Sequence, residues 1–361
     1  MKVPILELMR NRQAKMIKKI NLAVFILLVV LLVSSLTNPA DRTHIQQQAG
    51  LGIMFYNVEN LFDTVDSRLD DDEFLPSAGR RWNTYKYYRK LHNIFKVIAL
   101  CSNEMQIPDI IGLCEVENDN ALNDLCEKTF LNRENYGYLI SDGLDVRGIS
   151  TALLYRKDKL TVINSGSWKP RDSKGRYIST RAVLYSSLEY KNDTVLALVC
   201  HWPSRRGGAI ASEVRRKEVA SFIKTRIDSI GASRKIIIMG DLNDEPESVS
   251  VIEVLGASPE SSGSNSPLIN VSDNKGNLSA SYKYRGTWYM FDQFILSSSL
   301  YDAQEGLYYK KHSFRVINDD ALMGPDNSYK GFRPNGTWNG YNYTGAYSDH
   351  LPVSLSLGMK N

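Results

Sequence analysis

The sequence predicts an α/β fold built on mixed sheets, and three observations lead there. Six apolar, β-branched runs are spread along the chain, two long segments between them carry apolar residues at helical spacing, and one pair of runs is joined by a short polar turn. Strands that pair both locally and across helices make a mixed sheet.

The first run, Ile53-Met54-Phe55-Tyr56, ends in Asn57-Val58-Glu59-Asn60 and opens the globular part. Residues 85–103 place Leu91, Ile94, Phe95, Ile98 and Ala99 at helical spacing, and Pro108 closes the connection to the next strand, Ile110-Ile111-Gly112-Leu113-Cys114, which runs into Glu115-Val116-Glu117-Asn118. Residues 179–190 and 194–200 flank Lys191-Asn192-Asp193 and read as a hairpin whose second strand ends at His201-Trp202-Pro203. Residues 208–230 repeat the helical period through Val214, Val219, Phe222, Ile223 and Ile227. An apolar run then ends at Gly240-Asp241-Leu242-Asn243-Asp244, Phe291-Asp292-Gln293-Phe294-Ile295-Leu296 follows, and Ser348-Asp349-His350-Leu351-Pro352 precedes the last run. Serine-rich stretches such as residues 258–267 are short and read as surface loops. There is no internal repeat.

A chain of 361 residues is long enough for two domains, but nothing in its middle reads as a linker. We therefore expect one domain over residues 46–361. Residues 1–45 differ in kind: an unbroken apolar stretch, 22–33, follows Lys15, Lys18 and Lys19 and precedes Ser34-Ser35-Leu36-Thr37-Asn38-Pro39-Ala40. The stretch is short for a spanning helix and suits the core of a signal peptide, although no clean small-x-small site and no lipobox cysteine follow it. A cleaved signal and an uncleaved anchor both stand open, and either exports the domain; only the anchor makes the membrane a partner. Met16 would be a more ordinary start for such a leader.

Removing the leader changes the charge. Residues 1–40 hold six Lys and Arg against Glu7, a net +5, so the remainder of the +4 chain is near −1. A protein that holds long nucleic acid by a positive field should be more basic. The four cysteines, 101, 114, 126 and 200, show no zinc spacing; Cys114 and Cys200 fall inside apolar runs and read as buried thiols, and no disulfide pairing is assigned. Nothing calls for a second copy, so a monomer is expected.

Polar clusters at strand ends are how α/β folds assemble a single ligand site. Asp349-His350 puts a carboxylate beside an imidazole, and Asp241 and Asn243, two apart, would leave the same face of an extended stretch. Taken alone, each cluster has an ordinary reading: a DLND tetrapeptide forms turns, a strand-end Glu is solvated, and a histidine is structural. His44, His92 and His312 are read as surface or structural, and Asp70-Asp71-Asp72-Glu73 lacks calcium-loop spacing and reads as a solvated acidic loop.

The constellation changes the weighting. Asn57 in YNVEN, Glu115 in CEVEN, His201 in HWPSR, Asp241 and Asn243 in GDLND, Asp292 in FDQFIL, and Asp349 and His350 in SDH occur in the order of the endonuclease/exonuclease/phosphatase, or DNase I-like, family, which the chain resembles over roughly residues 51–357. The resemblance implies two mixed sheets packed face to face with helices outside, a four-layer sandwich, and a metal-dependent phosphoesterase.

Hydrolysis of a phosphate ester needs charge neutralisation, an activated water and a protonated leaving oxygen. Magnesium takes few protein ligands, and the family match implies Glu115 first, with Asn57 and Asp349 assisting; manganese or calcium would serve the same donors. Two general bases stand open: Asp241, fixed by Asn243, or His350 paired with Asp292. His201 is the natural proton donor. Arg147 and Arg205 are candidate phosphate contacts.

His201 resembles the branch of secreted deoxyribonucleases, sphingomyelinases and several phosphatases, since apurinic endonucleases generally carry asparagine there. Ser150 stands where many members carry an acid, which leaves the partner of His201 open. Residues 329–347, dense in Gly, Asn and aromatics, read either as a stacking loop over the site or as a rigid structural loop. The expected function is an exported, divalent-metal-dependent phosphoesterase, foremost a nuclease-type phosphodiesterase. The rivals are a phospholipid or small-molecule phosphate hydrolase and a non-catalytic surface binding protein; an intact proton-transfer dyad argues against the last.

Overall fold

A computed structural model of the chain describes residues 50–66, 72–102, 106–143, 145–231, 233–262, 266–272 and 280–360. The expected leader or anchor over residues 1–45 lies outside the described residues, as do Asp70 and Asp71 of the acidic stretch.

In chain order the elements are β1 (Gly50–Leu61), α1 (Thr84–Leu100), β2 (Ile110–Val116), α2 (Asp119–Glu127), β3 (Tyr136–Ile140), β4 (Ser150–Arg156), β5 (Leu160–Trp168), β6 (Val183–Tyr190), β7 (Asp193–His201), α3 (Ala209–Ile230) and β8 (Lys235–Asp241). The second half is strand-rich: β9 (Ala257–Pro259), β10 (Leu268–Asn270), β11 (Tyr282–Tyr284), β12 (Thr287–Tyr289), β13 (Asp292–Ser297), β14 (Gly306–Tyr309) and β15 (Arg315–Val316). It closes with β16 (Met323–Pro325), β17 (Phe332–Pro334), β18 (Trp338–Asn339), β19 (Asn342–Tyr343) and β20 (Val353–Lys360).

Two seven-stranded mixed sheets result. One runs β14-β20-β1-β2-β4-β3 with β15 also on β20, the other β5-β6-β7-β8-β13-β10-β9. Within them β1 is parallel to β2 and β7 to β8, while β20 and β13 run antiparallel to β1 and β8.

Side-chain alternation along the strands decides the layers. In β1, Leu51, Ile53 and Phe55 meet Val199, Met239 and Phe294 of the other sheet, and Met54, Tyr56 and Val58 pack with Leu91, Ile94 and Ile98 of α1. In β7, Val195, Ala197 and Val199 face the first sheet, and Leu196, Leu198 and Cys200 pack with Val219, Ala220 and Ile223 of α3. Helix, sheet, sheet and helix therefore stack as the expected four layers. A Cβ on Gly112 would come within 2.6 Å of the Met239 sulfur, so the sheets approach closely where a side chain is missing.

The helices and the hairpin match the sequence expectations with shifted ends. Helix α1 starts one residue earlier, because the Asn83 side chain accepts a hydrogen bond from the Lys86 N–H and caps it. Asp193 already pairs with Tyr190, so the β6–β7 turn is Lys191-Asn192, with Lys191 at φ +56°. Two expectations are corrected. Val214 is 62 % exposed, since the first turns of α3 instead bury Ser212 and Arg216, whose guanidinium reaches Ser212 Oγ at 2.7 Å and Asp244 Oδ2 at 2.7 Å. Residues 258–267 are not all loop, because β9 pairs in parallel with β10 at the sheet edge. All four cysteines are free and buried, and burial raises the Cys200 thiol to about 12.

Candidate active site

The functional motifs gather at one edge of both sheets. Strands β1, β2, β7 and β8 end there and β13 begins there; the register sets His201 beside Asp241, and Asp241 beside Asp292. His350, just before β20, forms an isolated bridge with Tyr282 of β11. Bulges re-aim the two ends nearest Asn57 and Glu115. The β1–β2 register shifts after Asn57 and the β2–β4 register after Cys114, with Glu59, Asn60 and Glu115 at φ +53°, +58° and +63°. Non-glycine residues in the left-handed region cost about 1 to 3 kcal/mol each, and they persist where the surroundings hold them.

Asp241 is the hub. Its Oδ2 accepts from Asn57 Nδ2 at 3.1 Å and lies 3.6 Å from His201 Nε2 and 3.8 Å from His350 Nε2, while Oδ1 accepts from the Asn243 N–H at 2.9 Å. His350 Nδ1 donates to Asp292 Oδ2 at 2.7 Å. His201 Nε2 is also 3.8 Å from Glu115 Oε1. Ser348 Oγ donates to the Asn57 carbonyl at 2.7 Å and accepts from the His350 N–H at 3.1 Å, which ties the last motif to the first. Asn243 is corrected: it sits at φ +51° in a turn rather than on an extended stretch, so it holds Asp241 through its backbone N–H while its side chain donates to the Trp202 carbonyl.

Charge is distributed unevenly over these groups. Burial raises the Asp241 carboxyl to about 7, with Asp292 adding to the rise and His350 opposing it. Burial disfavours an imidazolium at His350, but Asp292 and Asp241 outweigh it and hold the ring protonated well above the usual range. His201 goes the other way: burial first, then the cations Arg181 and Arg147, pull it well below the usual imidazole range. The proton donor expected at His201 is therefore a neutral ring, able to give a hydrogen bond through its N–H. Its buried Nδ1 has no hydrogen-bond partner among the described residues, and Ser150 offers no carboxylate to supply one. With two carboxylates facing Nε2, the favoured tautomer keeps its hydrogen there.

The donors fit a hard divalent cation. Burial and the charge of Glu115 both push the Asp349 carboxyl up, the mutual repulsion that a bound cation would relieve. Glu115 Oε2 accepts from the Asn60 N–H at 3.0 Å and leaves Oε1 uncommitted; Asn57 Oδ1 accepts from the Glu59 N–H and keeps a second lone pair. Asp241, Asp292 and His350 also place ligand atoms within 4.8 Å of one another, but a protonated His350 has no lone pair to give.

The two phosphate-contact candidates differ in commitment. Arg147 is 3.4 Å from Asp145 and among the charges acting on His201. Arg205 donates to the Asn243 carbonyl at 2.8 Å and to Asp244 at 3.1 Å, so it braces the GDLND loop. Four further residues escaped the sequence reading. Arg181, 6 % exposed, lies 3.1 Å from Asp145 and acts on His201. Buried Lys90 donates to Thr337 Oγ1 and, at 2.6 Å, to the Tyr347 carbonyl, and buried Glu59 accepts from the Thr337 and Trp338 N–H groups. The Tyr282 ring stacks on His350 at 4.6 Å. Lys90 was detectable as a cation on the apolar stripe with Leu91 and Ile94, and Glu59 as an acid two residues beyond Asn57.

These bonds make residues 337–347 largely structural. Trp338 packs on Phe74 and Trp82, although Gly336, Trp338, Asn339 and Gly340 also line a 250 Å³ cavity that reaches Asp349. His92 and His312 are exposed, as expected; His44 lies outside the described residues.

The sequence profile described as "Endonuclease/Exonuclease/phosphatase family" matches residues 52–359. No curated protein matches the chain. Among solved structures, an endonuclease/exonuclease/phosphatase family protein from Bacteroides thetaiotaomicron is 17 % identical with a TM-score of 0.55, covering 87 % of this chain and 99 % of its own. A mannosyl-6-phosphatase from the same species is 18 % identical with a TM-score of 0.51, covering 85 % and 99 %. TDP2 of D. rerio, in complex with a single strand DNA product, is 15 % identical with a TM-score of 0.52, covering 86 % and 99 %. At these identities the likeness is one of fold.

Proposed function

The chain belongs to the endonuclease/exonuclease/phosphatase family and is a metal-dependent phosphoric ester hydrolase, and on that premise we propose that it is a nuclease-type phosphodiesterase acting on short substrates outside the cytoplasm. The observation that carries the diester reading is that two cavities flank the β11 strand beside the site. A 250 Å³ cavity ends at Asp349 and a 660 Å³ cavity at Asn243, and Tyr282, Tyr284 and Arg285 line both. A diester has two arms to place; a monoester has one. The near-zero charge of the domain argues for a short substrate over a long duplex.

Glu115, Asn57 and Asp349 would hold the cation, magnesium first, with manganese or calcium as substitutes. Bound there, a divalent cation supplies charge neutralisation at a phosphate oxygen. Of the two candidate bases, Asp241 is favoured: a carboxyl at about 7 is matched to taking a proton from water near neutral pH, whereas His350 is already protonated. The His350 imidazolium, oriented by Asp292, places positive charge and an N–H toward the phosphoryl oxygens. Neutral His201 would give a hydrogen bond through Nε2–H to the leaving oxygen, which departs after taking its proton from the surrounding water. Arg147 and Arg181 add positive charge on that side.

The test is a substrate panel with magnesium, manganese and calcium: bis(p-nitrophenyl) phosphate, p-nitrophenyl phosphate, short DNA and RNA, plasmid DNA and sphingomyelin. Diesters turn over, and His201→Ala and Asp241→Asn lower that turnover by about a hundredfold or more. Cleavage confined to the monoester, or to sphingomyelin, overturns the reading. Export is supported by the apolar stretch 22–33 behind its lysines. An alkaline phosphatase fusion after residue 50 gives active reporter; an inactive reporter removes the export proposal.

A further inference from the structure

The loop that follows His201 and the β11–β12 hairpin enclose the 660 Å³ cavity, with Asn243 and Tyr282 on its inner wall. The Tyr282 ring stacks on His350, so the cavity adjoins the catalytic side chains. Arg205, Arg206 and Arg285 line it, and no Asp or Glu does. In a domain whose net charge is near −1, Arg206 and Arg285 add positive charge at one hole. Arg205 is committed to the Asn243 carbonyl and Asp244, and its guanidinium lies 4.7 Å from the Phe291 ring. Arg206 and Arg285 are different: both are exposed, and neither forms an ion pair among the described residues.

We propose that this cavity is the subsite for one ester arm of the substrate, and that Arg206 and Arg285 select an arm of nucleotide size carrying a second phosphate. The inference rests on the phosphodiesterase reading above and names its substrate class. A volume of 660 Å³ lies within the range of single small-molecule sites. A phosphate takes paired hydrogen bonds from guanidinium groups, which an uncharged alcohol arm would leave unused. Tyr284, 51 % exposed, and Tyr289 give the rim aromatic surface against which a base can pack.

Binding and turnover separate this inference from the reading it rests on. By calorimetry in EDTA, thymidine 3′,5′-bisphosphate binds about tenfold or more tightly than thymidine 5′-monophosphate, and the advantage disappears in the Arg206→Ala/Arg285→Ala protein. With magnesium, the dinucleotide pTpT or its 3′-phosphorylated isomer TpTp is cleaved with kcat/KM about tenfold above TpT, mostly through KM, and the double variant brings the ratio close to one. Equal binding of the two nucleotides, or a ratio that survives in the double variant, overturns the subsite. Selective binding without cleavage of any diester would sink the phosphodiesterase reading and leave the anion-selective cavity standing. Arg206→Lys/Arg285→Lys, which keeps charge but loses the planar fork, retains part of the preference and guards against a folding defect.

Discussion

At Asp241 one carboxylate receives two hydrogen bonds and faces two imidazoles, and its protonation sets when water can be activated. A group at about 7 that must be ionised to accept a proton gives kcat/KM a rising limb that flattens above neutral pH. His350, held protonated well above the usual range, loses its proton only at higher pH, where a falling limb follows. We expect Asp241→Asn to lower kcat by about 100- to 10,000-fold and to remove the limb near 7, read in a pH-rate profile on bis(p-nitrophenyl) phosphate at fixed free magnesium. A limb near 7 that persists in the asparagine variant assigns the base elsewhere. The residues themselves were legible in the sequence because the acids, amides and imidazoles all lie at strand ends, where a residue's position in the chain predicts its position in the fold. Their protonation states were not. Those depend on Arg181 and Arg147, and on Asp292, which meet their histidines only after the sheets pack.

The β11–β12 hairpin is the element whose contribution local pattern could not reveal. Its strands have three residues each, too short for an alternation signal, yet Tyr282 pairs with His350 in backbone and stacks on its ring. Beyond Tyr282 the stack continues through Phe291 to Tyr289 at centroid spacings of 5.4 and 5.0 Å. A ring held between neighbours keeps few rotamers, so Tyr282 positions the imidazole rather than touching the reacting atoms. Offset stacks are worth about 0.5 to 1.5 kcal/mol, enough to decide whether His350 stays aligned with Asp292. Tyr282→Ala is expected to lower kcat about tenfold with a smaller change in KM, and Tyr282→Phe to restore it. A role confined to holding the fold would instead lower the melting temperature of both variants without that rescue. The same limit hid the strand-end bulges: period-2 reading carries β1 and β2 straight through Asn57 and Cys114, where the register in fact shifts and Glu115 turns back toward His201.

For the whole domain, the site concentrates anionic charge against buried, low-dielectric walls. Glu59, Glu115, Asp241, Asp292 and Asp349 converge, and burial raises three of them, Glu59, Asp241 and Asp349. Asp241 binds its proton more tightly folded than unfolded, where 3.8 is its ordinary value. Its contribution to stability is therefore complete below about 4 and is lost as pH rises through about 7. A divalent cation among the same carboxylates acts in the opposite sense, because protons compete with it at low pH and withdraw at high pH. Magnesium at a hundred times its dissociation constant stabilises the folded state by about 2.7 kcal/mol, a shift of several degrees for a domain of this size. Melting curves with magnesium or EDTA should therefore diverge more at pH 8 than at pH 5, and Glu115→Gln should close the gap at both. A gain that is equal at the two pH values, or that survives the loss of Glu115, would place the cation away from these acids and detach the fold's charge pattern from its chemistry.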